Sequence, residues 1–528
     1  MADFAAPSLS RDQLVLFPER LDQAISADHA VRLVDEILGR IDWTLWEQAY
    51  DLKRGQPPIH PRVLAGVVLY GLLKRIRTSR TLEEAIEVRS DFRWLVEGRS
   101  IDHTTICKFR QRNSTALKNL FVQIVLIARE MGHLPLASLG FDGTRLRANN
   151  RKTGTRTPEE LRKAKAELEA KFAELEAKAA AADAEDNARL GDDSEHKLSE
   201  ELADGTRRRR RVDAALAELE RLEQAGEKVP ARIPITDPES RVTPNKEGGF
   251  APNYTPTATV DIDTGLIVDA GVIANTDEDK HLLASVENVQ KAFGLENPPG
   301  ELLADGMMST GENLAACEEK GIDFYSPIKL GADEDNPAVR ADPSVPVAAA
   351  DIERLPLTTT KHKDGTQSSK FNKNAFVYDA EQDSYWCPAG KELPYTNQTS
   401  QIENGRQRIR FRYYAAESDC AGCSLAEQCI GGKAKRRQVG HEQHERKRIA
   451  HAAKMSSEEG KQKYSRRRHA GERPFAVIKQ VFGARRFLTR GSKRVTDEWI
   501  WLASAFNLQQ LMSLIHSGRA PPAVASTS

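Results

Sequence analysis

Two aspartates stand at comparable places in the sequence, each at the end of a short apolar run and each followed by glycine. Asp142 ends "SLGFD" and Asp305 ends "ELLAD". A carboxylate at the carboxyl end of a strand, beside a glycine that allows close approach, is well placed to hold a divalent cation. If the two strands are neighbours, both carboxylates can reach one ion or a pair of ions, which is what phosphodiester chemistry needs. For either aspartate alone, a strand-end residue that accepts backbone hydrogen bonds is the simpler interpretation.

A third acidic residue lies in "YSRRRHAGERPFAVIK". Glu472 is surrounded there by basic residues, and Glu472, Phe475 and Lys479 have the spacing of one helical face. A single acidic residue among so many basic ones is not explained by charge balance alone. The competing carboxylate is Glu498 in "VTDEWIW", which lacks the basic surroundings that bind phosphate. Glu472 is therefore the predicted third member of the site.

The N-terminal part of the chain, up to about residue 135, has a helical pattern. "PPIHPRVLAGVVLYGLLKRI" begins with prolines and continues with apolar residues near helical period. Asp102 or Thr104, and further on Ser114, are candidate N-caps. The basic helix between them fits a helix that reads DNA. It fits an ordinary surface helix equally well, and the sequence leaves both open.

Strand signals begin at residues 136–142 and resume after residue 229. "NYTPTATVDIDTGLIVDAGVIAN" predicts a hairpin with a turn at residues 263–265. "DEDKHLLASVENVQKAFG" predicts a helix that Gly294 closes. With "ELLADG", "STGENLAACEEKG" and "IDFYSPIK", the predicted order from residue 138 is strand, helical arm, two strands, helix, strand, helix, strand.

The helical arm is predicted over residues 155–228. Leu161, Leu168 and Leu175 recur at intervals of seven, as in a helical hairpin or coiled coil. The run Arg207–Arg211 is compatible with contacts to DNA phosphates or with a solvated helix start. The arm interrupts the strand order, so we expect it to be an insertion.

Residues 331–460 are polar and rich in Asp and Pro, and then carry cysteines. Cys387, Cys420, Cys423 and Cys429 have the spacing C-x32-C-x2-C-x5-C. Four thiolates in a reducing cell suit a structural zinc ion. Because only one close C-x2-C pair is present, unliganded cysteines in an ordered loop are the alternative. We expect structural zinc.

The composition constrains the class of protein. Of the 528 residues, 77 are basic and 77 acidic, yet residues 433–494 contain 20 Lys and Arg against 5 Glu and no Asp. That local excess indicates a polyanion partner, although a solvated charged face is the alternative. The six cysteines favour a reducing compartment over a disulfide scaffold. With no long apolar run and no signal-like start, we expect no membrane partner, and a disordered tail at 516–528.

The chain resembles bacterial insertion-sequence transposases of the DDE type, which have an RNase H-like core. The resemblance rests on "SRTLEEAIEVRSDFRWL" and "DHTTICKFR", then on "FDGTRLRAN", "LLADGMMSTGENL" and "YSRRRHAGERPFAVIKQVFGARRFLTRG". More narrowly, it is similar to the group whose third carboxylate lies in a Tyr-Arg-Glu-Lys signature. That signature has one irregularity, because Tyr464-x2-Arg467 and Glu472-x6-Lys479 are intact but four residues separate Arg467 from Glu472. If Arg468 is taken as the signature arginine, the Arg–Glu spacing is restored but the Tyr–Arg spacing is broken.

The resemblance implies roles for these residues. Asp142, Asp305 and Glu472 would bind two Mg²⁺ or Mn²⁺ ions and carry the catalysis. The residues implied to contact DNA are Tyr464, Arg467 or Arg468, Lys479 and Arg145. The implied partner is double-stranded DNA, both at the terminal inverted repeats of an element and at its target. A homodimer in the bacterial cytoplasm, at the nucleoid, is implied as well.

The expected fold is an α/β RNase H-like core, a mixed sheet flanked by helices, with an all-α N-terminal domain, an inserted helical-hairpin arm and a Cys-rich insertion. The predicted boundaries are 1–135 for the N-terminal DNA-binding or dimerisation domain; 136–154, 229–330 and 461–515 for the core; 155–228 for the arm; and 331–460 for the Cys-rich insertion. The predicted activity is cutting and joining of DNA. The alternatives are a related nuclease without strand transfer and a non-catalytic DNA-binding protein descended from a transposase.

Overall fold

The computed structural model describes residues 20–50, 57–150, 154–190, 200–245, 248–328, 336–361, 366–403, 406–432, 434–467 and 471–517. Helices and mixed sheets make up an α/β fold with a helical N-terminal region, as predicted. The chain divides into two compact units: Met1–His133, Ala476–Ala484 and Asp497–Ser528 form the first, and Leu134–Phe475 with Arg485–Thr496 form the second. Residues 518–528 of the predicted tail lie outside the described residues.

The first unit contains the N-terminal helices. They are α1 (Ala30–Gly39), α2 (Thr44–Glu47), α3 (Pro61–Leu73), α4 (Ser79–Val88), α5 (Ser90–Leu95), α6 (His103–Arg112) and α7 (Ser114–Glu130), after a 3₁₀ turn at Leu21–Ala24. Asp102 caps α6 by accepting hydrogen bonds from the backbone of Thr104 and Thr105. The N-cap of α7 is Asn113. The prediction for Ser114 was therefore wrong by one residue, because an amide oxygen satisfies the free N–H groups as well as a hydroxyl does.

The basic helix α6 is tied into the interior of this unit. Arg110 donates a hydrogen bond to the carbonyl of Arg77 (2.7 Å). Arg77 in turn forms an ion pair with Glu498 (2.8 Å), and both side chains are largely buried. Burial lowers the pKa of Arg110, and the charge of Glu498 opposes that shift. Arg110 and Glu498 thus belong to a buried ionic network in the first unit.

The main sheet of the second unit has seven strands. The strands from residue 138 to residue 325 are β1 (Ser138–Gly143), β2 (Leu146–Arg147), β3 (Thr155–Arg156), β4 (Ile233–Pro234), β5 (Arg241–Pro244), β6 (Phe250–Asp261), β7 (Ile267–Ile273), β8 (Glu301–Leu303) and β9 (Asp323–Tyr325). The order is β2-β6-β1-β8-β9, with β5 and β7 also paired to β6. The pair β1–β6 is antiparallel, whereas β1–β8 and β8–β9 are parallel. The predicted β6–β7 hairpin is confirmed, with Gly265 at φ 71° in its turn.

The arm consists of two helices, α8 (Pro158–Leu190) and α9 (Glu200–Gln224), with β3 and β4 paired at its base. Leu161 and Leu168 are buried against Val212 and Leu219. Ile233 of β4 completes this core. The more specific prediction of a coiled coil, which needs an a/d seam along the helices, is not supported.

Residues 336–442 contain sheets that the sequence analysis did not predict. The strands are β10 (Leu357–Lys361), β11 (Gln367–Phe371), β12 (Val377–Asp379), β13 (Ser384–Trp386), β14 (Glu392–Glu403), β15 (Arg406–Tyr414) and β16 (Gln438–Glu442). Strands β10 and β11 form a hairpin, and β12 to β16 form a five-stranded sheet in chain order. A hydrophobic core that includes Phe371, Tyr385, Leu393 and Tyr413 supports this second sheet.

The remaining helices flank these sheets or continue the first unit. They are α10 (Leu282–Phe293), α11 (Gly311–Glu319), α12 (Glu417–Cys420), α13 (Ala426–Cys429), α14 (Glu445–Ser456), α15 (Glu458–Ser465), α16 (Arg473–Ala476) and α17 (Ser492–Ser517). Gly294, at φ 63°, ends α10, as predicted. Thr310 caps α11. A π-helical segment, Val477–Val481, follows α16.

Candidate active site

Asp142 and Asp305 lie at the same edge of the main sheet. Strand β1 runs parallel to β8, with Gly140 paired to Leu303. Asp142 lies two residues beyond Gly140, and Asp305 lies two residues beyond Leu303. Since both strands run in the same direction, the two aspartates emerge side by side at the carboxyl ends. This register joins residues that are far apart in the chain.

Glycines next to both aspartates permit close packing. A Cβ at Gly143 would collide with the side chain of Glu278, coming within 2.7 Å of its carboxylate carbon. A Cβ at Gly306 would lie 2.9 Å from the carbonyl oxygen of Pro327. The Asp-Gly pairs therefore let other parts of the chain approach the strand ends. Glu278 is buried, and its sequence surroundings carry no signal that would have singled it out.

The carboxylate of Asp142 is largely buried and close to several charges. Its pKa is raised to about 6, chiefly by burial, while Arg467 and a hydrogen bond from the Gly143 N–H (2.9 Å) act in the opposite direction. The negative charges of Asp305 and Glu472 raise the pKa further. Asp142 is thus within electrostatic reach of both other predicted carboxylates. Asp305 caps a 3₁₀ turn, Gly306–Met308, by accepting a hydrogen bond from Met307 N (2.9 Å), and Glu472 is exposed.

Arg467 contacts Asp142 directly. Its Nη2 lies 3.1 Å from Asp142 Oδ1, and about one eighth of each side chain is exposed. Burial raises the pKa of the Tyr464 phenol, the nearby charge of Arg467 lowers it, and the charges of Asp305 and Asp142 raise it further. Tyr464 and Arg467 therefore lie beside the two aspartates. Arg468, the other candidate for the signature arginine, lies outside the described residues.

Helix α15, which carries Tyr464, and the residue after it form ion pairs at the amino ends of the parallel strands β8 and β9. Arg466 binds Glu301 at the start of β8 (2.9 Å) and also Asp263 (2.9 Å). Lys463 binds Glu301 (2.9 Å) and lies 3.7 Å from Asp323 at the start of β9. These contacts position the helix end from which Arg467 reaches Asp142. The arginine run that contains Arg466 is visible in the sequence, but nothing there predicts this anchoring role.

Arg145 and Lys479 are two of the residues predicted to contact DNA, and the structure places them in different surroundings. Arg145 donates a hydrogen bond to the carbonyl of Pro244 (3.2 Å), and its Nε is buried with no hydrogen-bond partner. Lys479 is half-buried in the π-helical segment, which belongs to the first unit. Glu498, the competing carboxylate, also belongs to that unit and pairs with Arg77.

The three predicted carboxylates are suitable ligands for a hard divalent cation, but in this structure they do not converge on one metal-binding position. Asp142, Asp305 and Glu472 offer carboxylate oxygens, which Mg²⁺ and Mn²⁺ prefer. Across the residues that the structure describes, no group of three or more His, Cys, Asp or Glu side chains is close enough to hold a metal ion. In this arrangement a guanidinium, and not further carboxylates, lies against Asp142.

The zinc prediction for the cysteine cluster is not supported. Cys387, Cys420, Cys423 and Cys429 do line one small cavity, of about 30 Å³. Within the described ranges, however, they do not form a group that could hold a metal. Burial raises the pKa of Cys387, and it raises that of Cys429 to about 11. Cys429 belongs to the hydrophobic core of the second sheet, and Cys387 and Cys420 pack against it. They serve there as small apolar side chains.

Comparison with known families gives two matches. Residues 386–512 match the family model of the Transposase DDE domain, and residues 19–112 match that of a Transposase domain, DUF772. Both matches are to transposases. The first contains Tyr464, Arg467, Glu472 and Lys479, and Asp142 and Asp305 precede it. The matches support a DDE transposase, an enzyme family that acts on DNA.

No curated protein matches the chain. Among the described helices, none is long and apolar enough to cross a membrane.

Proposed function

We propose that the chain is a transposase that cuts DNA at the ends of an insertion sequence and joins those ends to target DNA. The observation that carries the proposal is the parallel register of β1 and β8, which brings Asp142 and Asp305 to one edge of the sheet. The proximity of Glu472 and the family matches support it further. We assign the main sheet, with its flanking helices, to an RNase H-like core.

In this proposal Asp142, Asp305 and Glu472 hold two divalent cations, Mg²⁺ or Mn²⁺, when these are bound. Such ions supply activation of the attacking oxygen and stabilisation of the leaving oxygen at phosphorus. Asp142 must give up its contact with Arg467, at least in part, to become a ligand. The released guanidinium is then free to bind a phosphate oxygen, for which its forked geometry is suited.

The other residues of the signature would position the DNA backbone. Tyr464, which lies within electrostatic reach of Arg467, would help to hold the guanidinium in reach of the phosphate. Lys479 and Arg145 are assigned as further phosphate contacts, which place the scissile bond without reading its sequence. The reaction is attack of water or of a DNA 3′-hydroxyl on phosphorus, with departure of the 3′-oxygen on the other side. We also propose a homodimer, because two element ends must be held together.

The test uses the full-length chain and labelled duplexes from the DNA that flanks its gene. With Mg²⁺ or Mn²⁺, the wild-type chain is expected to cut the duplex and to join pre-cut ends to a plasmid. Asp142→Asn should reduce both reactions by about a thousandfold or more, since it removes an anionic ligand. Asp351→Asn, on an exposed 3₁₀ turn of the same unit, is the matched control and should retain both.

The outcomes separate the candidates. Cutting without joining by the wild-type chain would indicate a nuclease. Full activity of Asp142→Asn would exclude the assigned site. Mass photometry of the complex with two end duplexes should report two copies of the chain, and a single copy on each end would contradict the dimer.

A further inference from the structure

The second sheet presents a regular row of arginines. Arg408, Arg410 and Arg412 alternate along β15, so their side chains lie on one face. Their partners on β14 are Gln401, Thr399 and Asn397 in the same order. At these positions the face therefore combines guanidinium groups with amides and a hydroxyl, and β14 contributes no carboxylate.

A cleft of about 770 Å³ opens beside this row. We call it the arginine cleft; it is lined by Lys373, Asn374, Arg410, Phe411, Arg412, Gln438, Gly440, His441, Glu442, Glu445 and Arg448. Four of the charged side chains are basic and two are acidic. Gly440 is paired with Arg412 and has no room for a side chain, because a Cβ would lie 2.6 Å from the carbonyl oxygen of Phe411. Backbone therefore forms part of the floor.

Both acidic residues of the cleft form ion pairs, although Glu445 Oε2 is buried without a hydrogen-bond partner. Glu442 accepts contacts from Arg408 (3.4 Å) and Arg410 (3.5 Å), and Glu445 pairs with Lys373. Arg412 and Arg448, by contrast, have no acidic partner among the residues that the structure describes. Arg448 Nε is buried without any hydrogen-bond partner. Arg412 and Arg448 thus line a cleft with more basic than acidic side chains, and among the described residues neither forms an ion pair with Glu442 or Glu445.

We propose that the arginine cleft and the adjoining face of β15 bind the sugar-phosphate backbone of duplex DNA, at a place other than the candidate active site. Arginine forks match phosphate oxygens, and amide side chains bond readily to sugars and phosphates. Alternate residues of a strand are roughly 6.8 Å apart, which is the axial rise of two nucleotides of one DNA strand. Residues 406–454 carry twelve Lys and Arg against five Asp and Glu. The choice of DNA as the polyanion rests on the proposed function.

The test measures binding, not cutting. The affinity of Arg412→Gln/Arg448→Gln for a labelled random-sequence duplex is followed by fluorescence anisotropy over a range of salt concentrations. The loss of two phosphate contacts should weaken binding about tenfold and reduce the slope of log K against log salt by about 2. Arg412→Lys/Arg448→Lys keeps the charge and should retain most of the slope. Lys291→Gln/Lys361→Gln removes two exposed lysines of the same unit and should leave the slope unchanged.

The outcome of this binding test does not depend on whether the proposed active site cuts DNA. An unchanged affinity and slope in Arg412→Gln/Arg448→Gln would overturn the inference, whether or not the chain cuts DNA. Duplex RNA that binds as tightly, with the same loss in the variant, would overturn the assignment to DNA. Repeating the titration in Asp142→Asn keeps the two proposals apart, because failure to cut leaves this binding signal intact.

Discussion

The guanidinium of Arg467 lies on the carboxylate of Asp142, with 3.1 Å between Nη2 and Oδ1. The signature around Glu472 leaves open whether Arg467 or Arg468 takes the arginine role, and this contact favours Arg467. The contact also places a cation where the proposal requires a metal ion to act. The pair links the strand that bears the first aspartate to the chain segment that bears Tyr464.

Arg466, the neighbour of Arg467, is predicted to act as a positioning residue. Arg466→Ala removes the ion pairs with Glu301 and Asp263, so α15 should lose part of its anchoring. These pairs are partly exposed, and we expect a loss of only about 1 kcal/mol in the free energy of unfolding. DNA cutting should fall about tenfold or more, since small displacements of positioning groups reduce rates strongly. Arg466→Lys should recover part of the stability and part of the cutting rate. Normal cutting by Arg466→Ala would contradict the positioning role.

Glu498 is predicted to stabilise the first unit. Glu498→Ala would remove the carboxylate that pairs with the largely buried guanidinium of Arg77, and breaking a buried ion pair typically costs about 3–5 kcal/mol. A melting temperature lower by several degrees is expected, measured by calorimetry. Glu498→Gln, which keeps a hydrogen-bond acceptor, should cost less and should still cut DNA where folded. Loss of cutting in a Glu498→Gln chain with unchanged melting would instead indicate a catalytic role.

Gly143 is predicted to be required by the nearby side chain of Glu278. Gly143→Ala places a Cβ 2.7 Å from the carboxylate carbon of Glu278, and overpacking of this kind costs about 1–3 kcal/mol. The double variant Gly143→Ala/Glu278→Ala should recover part of the loss in a double-mutant cycle. Gly431→Ala, at a glycine with open space around it, is the control. Additive losses in the double variant would show that the two positions do not meet.

Asp261 is predicted to make stability depend on pH. Its carboxylate accepts hydrogen bonds from Leu136 N (3.0 Å) and Thr264 N (2.9 Å), and burial raises its pKa to about 6. The folded state therefore binds a proton more tightly than the unfolded state, whose pKa is about 3.9. Stability must fall as the pH rises from about 4 to 6, because the unfolded chain releases this proton first. Asp142 contributes in the same pH window, so Asp261→Asn should show a smaller slope than the wild type in unfolding measurements at a series of pH values. An identical slope in both proteins would be evidence against it.

The amino-acid pattern was sufficient for elements whose signals are local. The β6–β7 hairpin followed from β-rich runs around a glycine turn, and the end of α10 followed from Gly294. Asp142 and Asp305 could be recognised as strand-end acids. Their adjacency could not, because the register of β1 with β8 depends on pairing across about 160 residues.

The second sheet was missed for a related reason. Along β15, arginines alternate with other residues, as expected for a strand. Because the segment is so rich in charge, the sequence predicts a polar insertion there, and the alternation with a period of two is easily overlooked. Residues 415–437, which include two short helices, separate β15 from its neighbour β16, and the packing of Tyr385 and Tyr413 appears only when the strands are assembled. The cysteines illustrate the same limit, since C-x2-C spacing does not reveal whether sulfurs face a metal or an apolar core.

The central claim is that Asp142, Asp305 and Glu472 act as one site, and non-additivity of cutting rates tests it most directly. Single-turnover cutting is measured for Asp142→Asn, Asp305→Asn, Glu472→Gln and the double variant Asp142→Asn/Asp305→Asn, with melting temperatures to confirm folding. Each single variant should lose about a thousandfold or more, and the double variant should be no slower than the slower single one. A folded Asp305→Asn or Glu472→Gln chain that cuts at the wild-type rate would contradict the account.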